Sequence, residues 1–438
     1  MLKSPANAGL FKCKFCYSKY MQTDFLPPEF VSYTVQLFGA PRWQHFLQAF
    51  EQDIPVSIRF NPWKLPAVSP FSQKAPVPWC QHAYWLDKRP DFTSDPLFHA
   101  GAYYVQEAGS LFLDHVLRQH VKGPVLALDL CAAPGGKSTL MRAALPEGSM
   151  LVSNEPDRRR ANILLENMLK QGHPDVLVTH NYAADFQKTD WTFDVILTDV
   201  PCSGEGLFRR DSAAINEWSV SNVNFCQKRQ RQILQDIWPC LRPGGLLIYS
   251  TCTLNTSENE ENVRFIAEEL GAEILSVPVE PSWNITGSLL ENWNASVYRF
   301  IPGITRSEGL FMAVLRKKGT PPAHSFIPAS ARRYAQGHRL IHVLSDGIPT
   351  FEQKGKEQIP SIAHALSLHT APDAYPRIEL TLEQAKRYLH RESFALPAGT
   401  AKGFVVVTYQ NQPLGFMKNI GERANNLYPK NWAIRKSC

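Results

Sequence analysis

Long apolar runs are missing from this chain. No stretch approaches the roughly 18 to 20 apolar residues of a membrane-spanning helix. Lys3, Lys12 and Lys14 are not followed by the apolar core of a secretion signal. No membrane association is expected, and the cytoplasm is the expected compartment. A disulfide framework is missing too. The nine cysteines are odd in number and scattered, which argues for reduced thiols. Cys13-Lys14-Phe15-Cys16 has metal-ligand spacing, but zinc needs four ligands and no second such pair exists, so no metal is expected. The GxGxxG of dinucleotide folds and the Walker A loop are both absent. Neither an internal repeat nor a low-complexity tract is present.

What is there is a chain of 438 residues, too long for one compact core, with 44% hydrophobic and 20% charged residues. Its net charge of +6 is uneven. Residues 319–438 hold 15 Lys and Arg against 8 Asp and Glu, whereas residues 1–318 hold 31 against 32. A basic module tethered to a near-neutral one points to a phosphate-backbone partner, although a basic domain alone does not require one.

Residues 1–20 lack periodicity and read as an unstructured extension. Residues 26–52 read as two helices broken at Gly39-Ala40-Pro41. Residues 54–95, rich in Pro and Trp, read as short strands and turns. Arg59, Lys64 and the aromatics there suit RNA, but a small aromatic core is the commoner use. From 103 to 318 strands and amphipathic helices alternate. Strands fall near 125–131, 150–155, 175–180, 193–199 and 244–251, with helices at 157–171 and 222–241, and an antiparallel strand at 310–315. This is a doubly wound α/β pattern. Residues 319–336 read as a linker. The remainder, 337–438, reads as a small β-rich domain with strand-like runs at 338–350 and 377–382. It ends in a hairpin from 403–409 through a turn at 410–413 to 414–417.

Three strands end in unusual chemistry. The first opens into Cys131-Ala132-Ala133-Pro134-Gly135-Gly136-Lys137, a glycine loop able to bring its backbone close to a ligand at a helix N-terminus. The next strand ends at Glu155, placed to hydrogen-bond a ribose diol. That pair suits S-adenosylmethionine as well as NAD. The other two strands lead to Asp199-Val200-Pro201-Cys202 and Ser250-Thr251-Cys252. Either cysteine alone would be read as a small buried apolar residue. Two of them at strand ends beside a cofactor loop suggest covalent chemistry on a pyrimidine. C5 of cytosine is not nucleophilic until a thiolate adds to C6. An acid or hydrogen-bond partner for N3/N4 is also needed, and Asp199 is placed for it. Methylation of an exocyclic amine uses an aromatic where Cys202 stands, so carbon is favoured over nitrogen as acceptor.

The segments CAAPGGKS (131–138), TDVPCSGEGLFRRD (198–211), LRPGGLLIYSTCT (241–253) and SENEENV (257–263) resemble the Sun/Fmu family of RNA cytosine-5 methyltransferases. LPPEF (26–30), DPLFHAGAYYVQEAGS (95–110) and GFMKNIGERANNLYP (415–429) are most similar to its YebU/RsmF-type branch, which methylates small-subunit ribosomal RNA. The resemblance covers roughly residues 26–438. It implies a Rossmann-like S-adenosylmethionine-dependent core (103–318), an N-terminal α+β RNA-binding segment (21–102) and a C-terminal PUA-like domain. It also implies Cys252 as nucleophile, Cys202 in product release, Asp199 beside the base with Lys137 near it, and Cys131 to Lys137 with Glu155 around the cofactor. The family's adenine-contacting acid after the third strand has no direct match. Asp185 comes later than expected, and Asn181 is the alternative. Asp199 borders the cofactor as well.

For RNA, Arg209 and Arg210 flank the proposed site and suit phosphates, whereas Lys228, Arg229 and Arg231 read as a solvated helix face. In the tail, Lys418, Arg423, Tyr428, Lys430, Trp432 and Arg435 interleave cations with aromatics. The expected activity is methylation of 16S ribosomal RNA by a monomer. A transfer RNA or 23S target is the alternative within the same chemistry. A non-catalytic ribosome-assembly protein is the alternative outside it.

Overall fold

The computed structural model describes residues 23–71, 74–320 and 340–435. The 1–20 extension, with Cys13 and Cys16, and nearly all of the 319–336 linker lie outside the described residues.

Five strands lie side by side and parallel, in the order Leu241–Thr251, Phe193–Asp199, Leu126–Asp129, Met150–Asn154, Val176–Thr179. Alternate residues feed two apolar clusters on opposite faces. Ala127, Val195 and Leu246 join one, and Leu128, Ile196 and Leu247 the other. Both faces are covered, so these strands are apolar throughout rather than alternating. Antiparallel strands extend both edges. Leu310–Lys317 pairs with Leu241–Thr251, while Val343–Ser345, from the C-terminal region, pairs with Val176–Thr179. Among the described residues the sheet has nine strands.

The order reverses between Leu126–Asp129 and Phe193–Asp199. Each runs beside its next sequential neighbours on opposite sides, and ligands bind open α/β sheets at such a switch point. The Leu241–Thr251 strand starts three residues earlier than its apolar run suggests, because Leu241 already pairs with Phe193 and, after an irregular stretch that holds Gly244 at φ 76°, the ladder resumes at Leu246 opposite Val195.

The N-terminal helical segment Pro28–Ala49 is interrupted at Gly39, whose φ of 71° and ψ of 164° break the helix just before Pro41. Its Phe30 packs edge-on against Phe208 and Trp218, beyond Cys202. A four-stranded sheet follows, ordered Lys74–Pro76, Ala83–Leu86, Val56–Phe60, Tyr103–Val105. Its last strand lies past residue 102.

The C-terminal sheet is ordered Arg377–Glu379, Gly403–Tyr409, Gln412–Asn419, Ala424–Asn426. Its hairpin turns through Gln410 and Asn411, both at positive φ, as the strand twist requires. Helices Ile362–Leu366 and Leu382–Leu389 are also present, and the strand-based reading of this region omitted them.

Three parts of the chain meet where the helix Arg158–Gln171 ends at Gly172, φ 83°. Lys64 Nζ donates to the carbonyls of Lys170 (2.7 Å) and Ala100 (3.1 Å). Asn61 Nδ2 donates to the Gln171 carbonyl (3.1 Å), and the Leu368 N–H donates to that of Gly172 (3.0 Å). Arg59 is also buried, donating to Gln106 and Thr139. Arg59 and Lys64 are therefore internal ties rather than RNA contacts, and Phe60, Phe71, Phe92 and Tyr103 beside them form a small aromatic core.

Candidate active site

Register brings the chemical residues to one edge. Asp199 pairs with Ser250 across the parallel ladder, Asp129 with Leu197, and Asp129 with Ser153 on its other side. Both thiols, the glycine loop and Glu155 thus follow four adjacent strands.

The loop from Cys131 to Lys137 is fastened at its start, where the Leu130 N–H donates to the Leu197 carbonyl and that of Ala132 to Asn154. Ala133 and Pro134 carry it to Gly135, whose left-handed φ of 113° admits the chain into the helix Gly136–Ala144. Lys137 in the first turn reaches Asp199, Nζ to Oδ2 at 2.8 Å. Ser250 Oγ donates to the other carboxylate oxygen at 2.7 Å. Burial pulls the Lys137 ammonium down, but Asp199, with Cys252 and Asp129, holds it above its ordinary value. Burial pushes the Asp129 carboxyl up to about 7, and one of its oxygens is buried without a partner. Burial likewise pushes the Cys131 thiol up.

Glu155 is almost wholly buried. Its Oε1 accepts from the Asp157 N–H at 3.0 Å. The contacts of Oε2 are long, 3.4 Å to the Ala133 N–H and 3.5 Å to Arg160.

Cys202 Sγ and Cys252 Sγ are 2.9 Å apart, and both are free cysteines. The Cys202 thiol is pushed well above its ordinary range by its hydrogen bond to Cys252 and by burial. The two loops are locked to each other. Ser203 Oγ bonds Thr253 Oγ1 at 2.8 Å, the Gly206 N–H donates to the Cys252 carbonyl at 2.9 Å, and Gly206 packs directly on Gly309. Two buried acids complete the lock. Glu258 accepts from the Ser203 N–H and from Asn255 and Gln230, while Glu205 accepts from the Leu254 and Asn255 N–H groups and from Trp218. Single-residue reasoning missed Glu205, Glu258, Asn255 and Ser250. The signal for Glu258 was the acid-rich SENEENV run, and for Glu205 and Ser250 the segments TDVPCSGEGLFRRD and LRPGGLLIYSTCT, all quoted for resemblance rather than for contacts.

Several expectations are corrected. Arg209 is buried, paired with Glu308 and bonded to the Gln52 carbonyl, so it braces the N-terminal segment instead of meeting phosphate. Arg210 stays partly exposed, 3.7 Å from the same Glu308. Asn181 is fully used. Its Oδ1 accepts from the His342 N–H at 2.9 Å and its Nδ2 donates to the His342 carbonyl at 3.3 Å, fastening the edge strand. The Asp185 carboxylate takes the Tyr182 N–H and Lys188 within its own turn. Tyr428 is buried with its hydroxyl 3.3 Å from His99, and Trp432 sits under the Lys170 ammonium, so these aromatics dock the C-terminal domain rather than stack on RNA. Lys418 pairs with Glu357 at the surface, and Arg423 is exposed. Lys228 and Arg229 are exposed as expected of a solvated face, while Arg231 bonds Asn262.

Three family descriptions match successive parts of the chain. "N-terminal domain of 16S rRNA methyltransferase RsmF" matches residues 26–108, "16S rRNA methyltransferase RsmB/F" residues 118–316, and "Methyltransferase RsmF PUA domain" residues 375–434. The chain is 30% identical to Ribosomal RNA small subunit methyltransferase F of Aliivibrio fischeri (strain MJ11), over 93% of this chain and 97% of that one. A methyltransferase homolog protein from Pyrococcus horikoshii superposes with a TM-score of 0.54 at 25% identity, covering 67% of this chain and 100% of its own. NSun6 of the same organism, solved with SFG, gives a TM-score of 0.58 at 19% identity, covering 68% and 100%, and shares the fold.

Proposed function

The chain belongs to the 16S rRNA methyltransferase RsmB/F family, a family of RNA cytosine-5 methyltransferases, and from that premise we propose that it methylates C5 of a cytosine in 16S ribosomal RNA by covalent catalysis. In this reading Cys252 is the nucleophile and Cys202 assists release. The observation that carries it is the approach of the two thiols to 2.9 Å at the strand ends, beside the Lys137–Asp199 pair.

The residues present fit S-adenosylmethionine. Glu155 offers a buried carboxylate whose Oε2 has only long contacts, suited to a ribose diol. The Cys131–Lys137 backbone borders it, Asp199 closes the side toward the base, and Asp129 has an unpartnered buried oxygen nearby. A protein of the same fold was solved with SFG, an analogue of that cofactor. When bound, the cofactor supplies an electrophilic methyl group. Asp185 would reach the adenine only by exchanging its contacts with Tyr182 and Lys188.

The chain's own residues divide the remaining work. Cys252 sulfur adds to C6, which makes C5 electron-rich. Asp199, held between Lys137 and Ser250, accepts from the N4 amino group on the N3/N4 edge. After methyl transfer a base takes the C5 proton, its electrons re-form the C5–C6 double bond, and the C6–S bond breaks to release Cys252 as a thiolate. The raised Cys202 thiol suits an assisting proton carrier rather than an attacking thiolate. The target base must leave its stack to reach the thiols.

The test uses Cys202→Ala and Cys252→Ala proteins expressed in cells. An SDS-stable protein–RNA adduct is expected with Cys202→Ala and not with Cys252→Ala, and sequencing the attached RNA names the target. The reverse pattern would exchange the two roles. No adduct with either would overturn the covalent reading.

A further inference from the structure

A wide cleft of about 1420 Å³ separates the N-terminal sheet from the core. One wall carries Lys88 and Arg89, just past the Ala83–Leu86 strand, and the other Arg210 and Arg306. All four are exposed. Five cations line the cleft against three carboxylates. One of those carboxylates, Glu107, is occupied by the N–H groups of Gly109, Ser110 and Glu308.

One wall of this cleft is tied through the backbone to the loops that carry the thiols. Arg209 and Arg210 follow Gly206, whose N–H holds the Cys252 carbonyl, and Glu308 precedes Gly309, which touches Gly206. Buried Arg209 anchors Glu308 and the Gln52 carbonyl, which fixes the wall from which Arg210 projects. On the same side the Arg306 guanidinium lies 4.7 Å from the Trp85 ring centre, and its backbone carbonyl accepts from the Trp85 indole at 3.1 Å. The site is therefore cationic, built on fixed backbone, open to solvent and joined through Gly206 and Gly309 to the loop of Cys252.

We infer that this cleft carries the unpaired RNA strand flanking the target cytosine, with Lys88, Arg89, Arg210 and Arg306 taking its phosphates. The inference rests on the reading of the thiol pair as an RNA methylation site. It keeps Arg210, which its place beside the Cys202 loop already offered for phosphates, and adds Lys88, Arg89 and Arg306, away from the C-terminal tail where the charge excess lies.

The experiment compares the Lys88→Glu/Arg89→Glu double variant, Arg306→Glu, and a control, Lys122→Glu. Lys122 is exposed at the opposite end of the core strands, near Val125 and Asp194. Affinity for transcribed 16S rRNA is measured by filter binding across a salt series, with S-adenosylhomocysteine binding by calorimetry as the check on folding. The double variant should bind RNA more weakly, with its log–log salt slope reduced by about 0.7 for each phosphate that is no longer neutralised. Its KM for RNA should rise with kcat largely kept and S-adenosylhomocysteine binding unchanged. Unchanged affinity and slope in both cleft variants would overturn the cleft, as would an equal loss in Lys122→Glu. The adduct test separates the two readings. If Cys202→Ala traps RNA while the cleft variants bind normally, the covalent reading stands without the cleft. If neither thiol variant traps RNA but the cleft variants lose affinity, the cleft stands without the covalent step.

Discussion

Lys137 Nζ lies 2.8 Å from Asp199 Oδ2, bridging the strands between which the sheet reverses its order. Sixty-two residues separate the two in sequence. The pair sets the charge at the point where a pyrimidine edge would sit.

Asp199→Asn should keep the shape of the site and remove the charge. Asp199 is the main group holding the Lys137 ammonium above its ordinary value against burial. A raised lysine contributes stability that is complete below its ordinary value of 10.5 and is lost as pH climbs through the raised folded value. Without Asp199, burial dominates and that alkaline limit moves down. The variant should lose about 10²- to 10⁴-fold in kcat and unfold at lower pH in alkaline melts. An unchanged kcat would remove Asp199 from the chemistry.

Glu155→Ala tests the cofactor assignment apart from the thiols. Losing a charged hydrogen-bond acceptor to a ribose diol should weaken S-adenosylhomocysteine binding by about 10- to 100-fold, read by calorimetry. The Cys252→Ala protein should bind it normally. Equal affinity for the Glu155→Ala and unsubstituted proteins would mean that the carboxylate serves only the Asp157 N–H.

Gly172→Ala tests the junction of the three parts of the chain. Gly172 has φ 83°, and an added Cβ would overlap the Leu366 carbonyl oxygen. The backbone conformation alone costs about 1–2 kcal/mol for a residue with a Cβ, and the overlap adds to it. Thermal melts should show a lower midpoint. Proteolysis should cut earlier in the C-terminal region if docking is what fails.

How much of this was legible varied with what each residue answers to. The five parallel strands were readable because burial on both faces leaves β-branched runs such as Val195-Ile196-Leu197. The site residues were readable because each follows such a run directly. Arg209 misled because a cation beside a catalytic loop looks the same in sequence whether it faces water or Glu308. Tyr428 and Trp432 misled similarly, since an aromatic among cations suits RNA stacking as well as docking against His99 and Lys170. The short strand Val343–Ser345 joins the core sheet through contacts with residues about 160 positions away, at Asn181. No local pattern encodes that pairing.

Lys64 makes the interdomain junction sensitive to pH. Its ammonium is buried with two carbonyl acceptors, and burial pulls its value down from 10.5 to about 7. Between those values the unfolded chain holds the proton and the folded chain releases it, so this residue makes stability rise with pH across that window. Below about 7 the full cost of a buried charge is present. Lys64→Met removes the titration, with a slope of up to about 1.4 kcal/mol per pH unit. It also leaves the Ala100 and Lys170 carbonyls without a donor, a loss that does not depend on pH. Relative to the unsubstituted protein, the variant should therefore fare best in melts near neutrality and progressively worse as pH rises toward 10.5. A difference between the two proteins that stays constant with pH would show that Lys64 keeps its proton throughout, held by the two carbonyls.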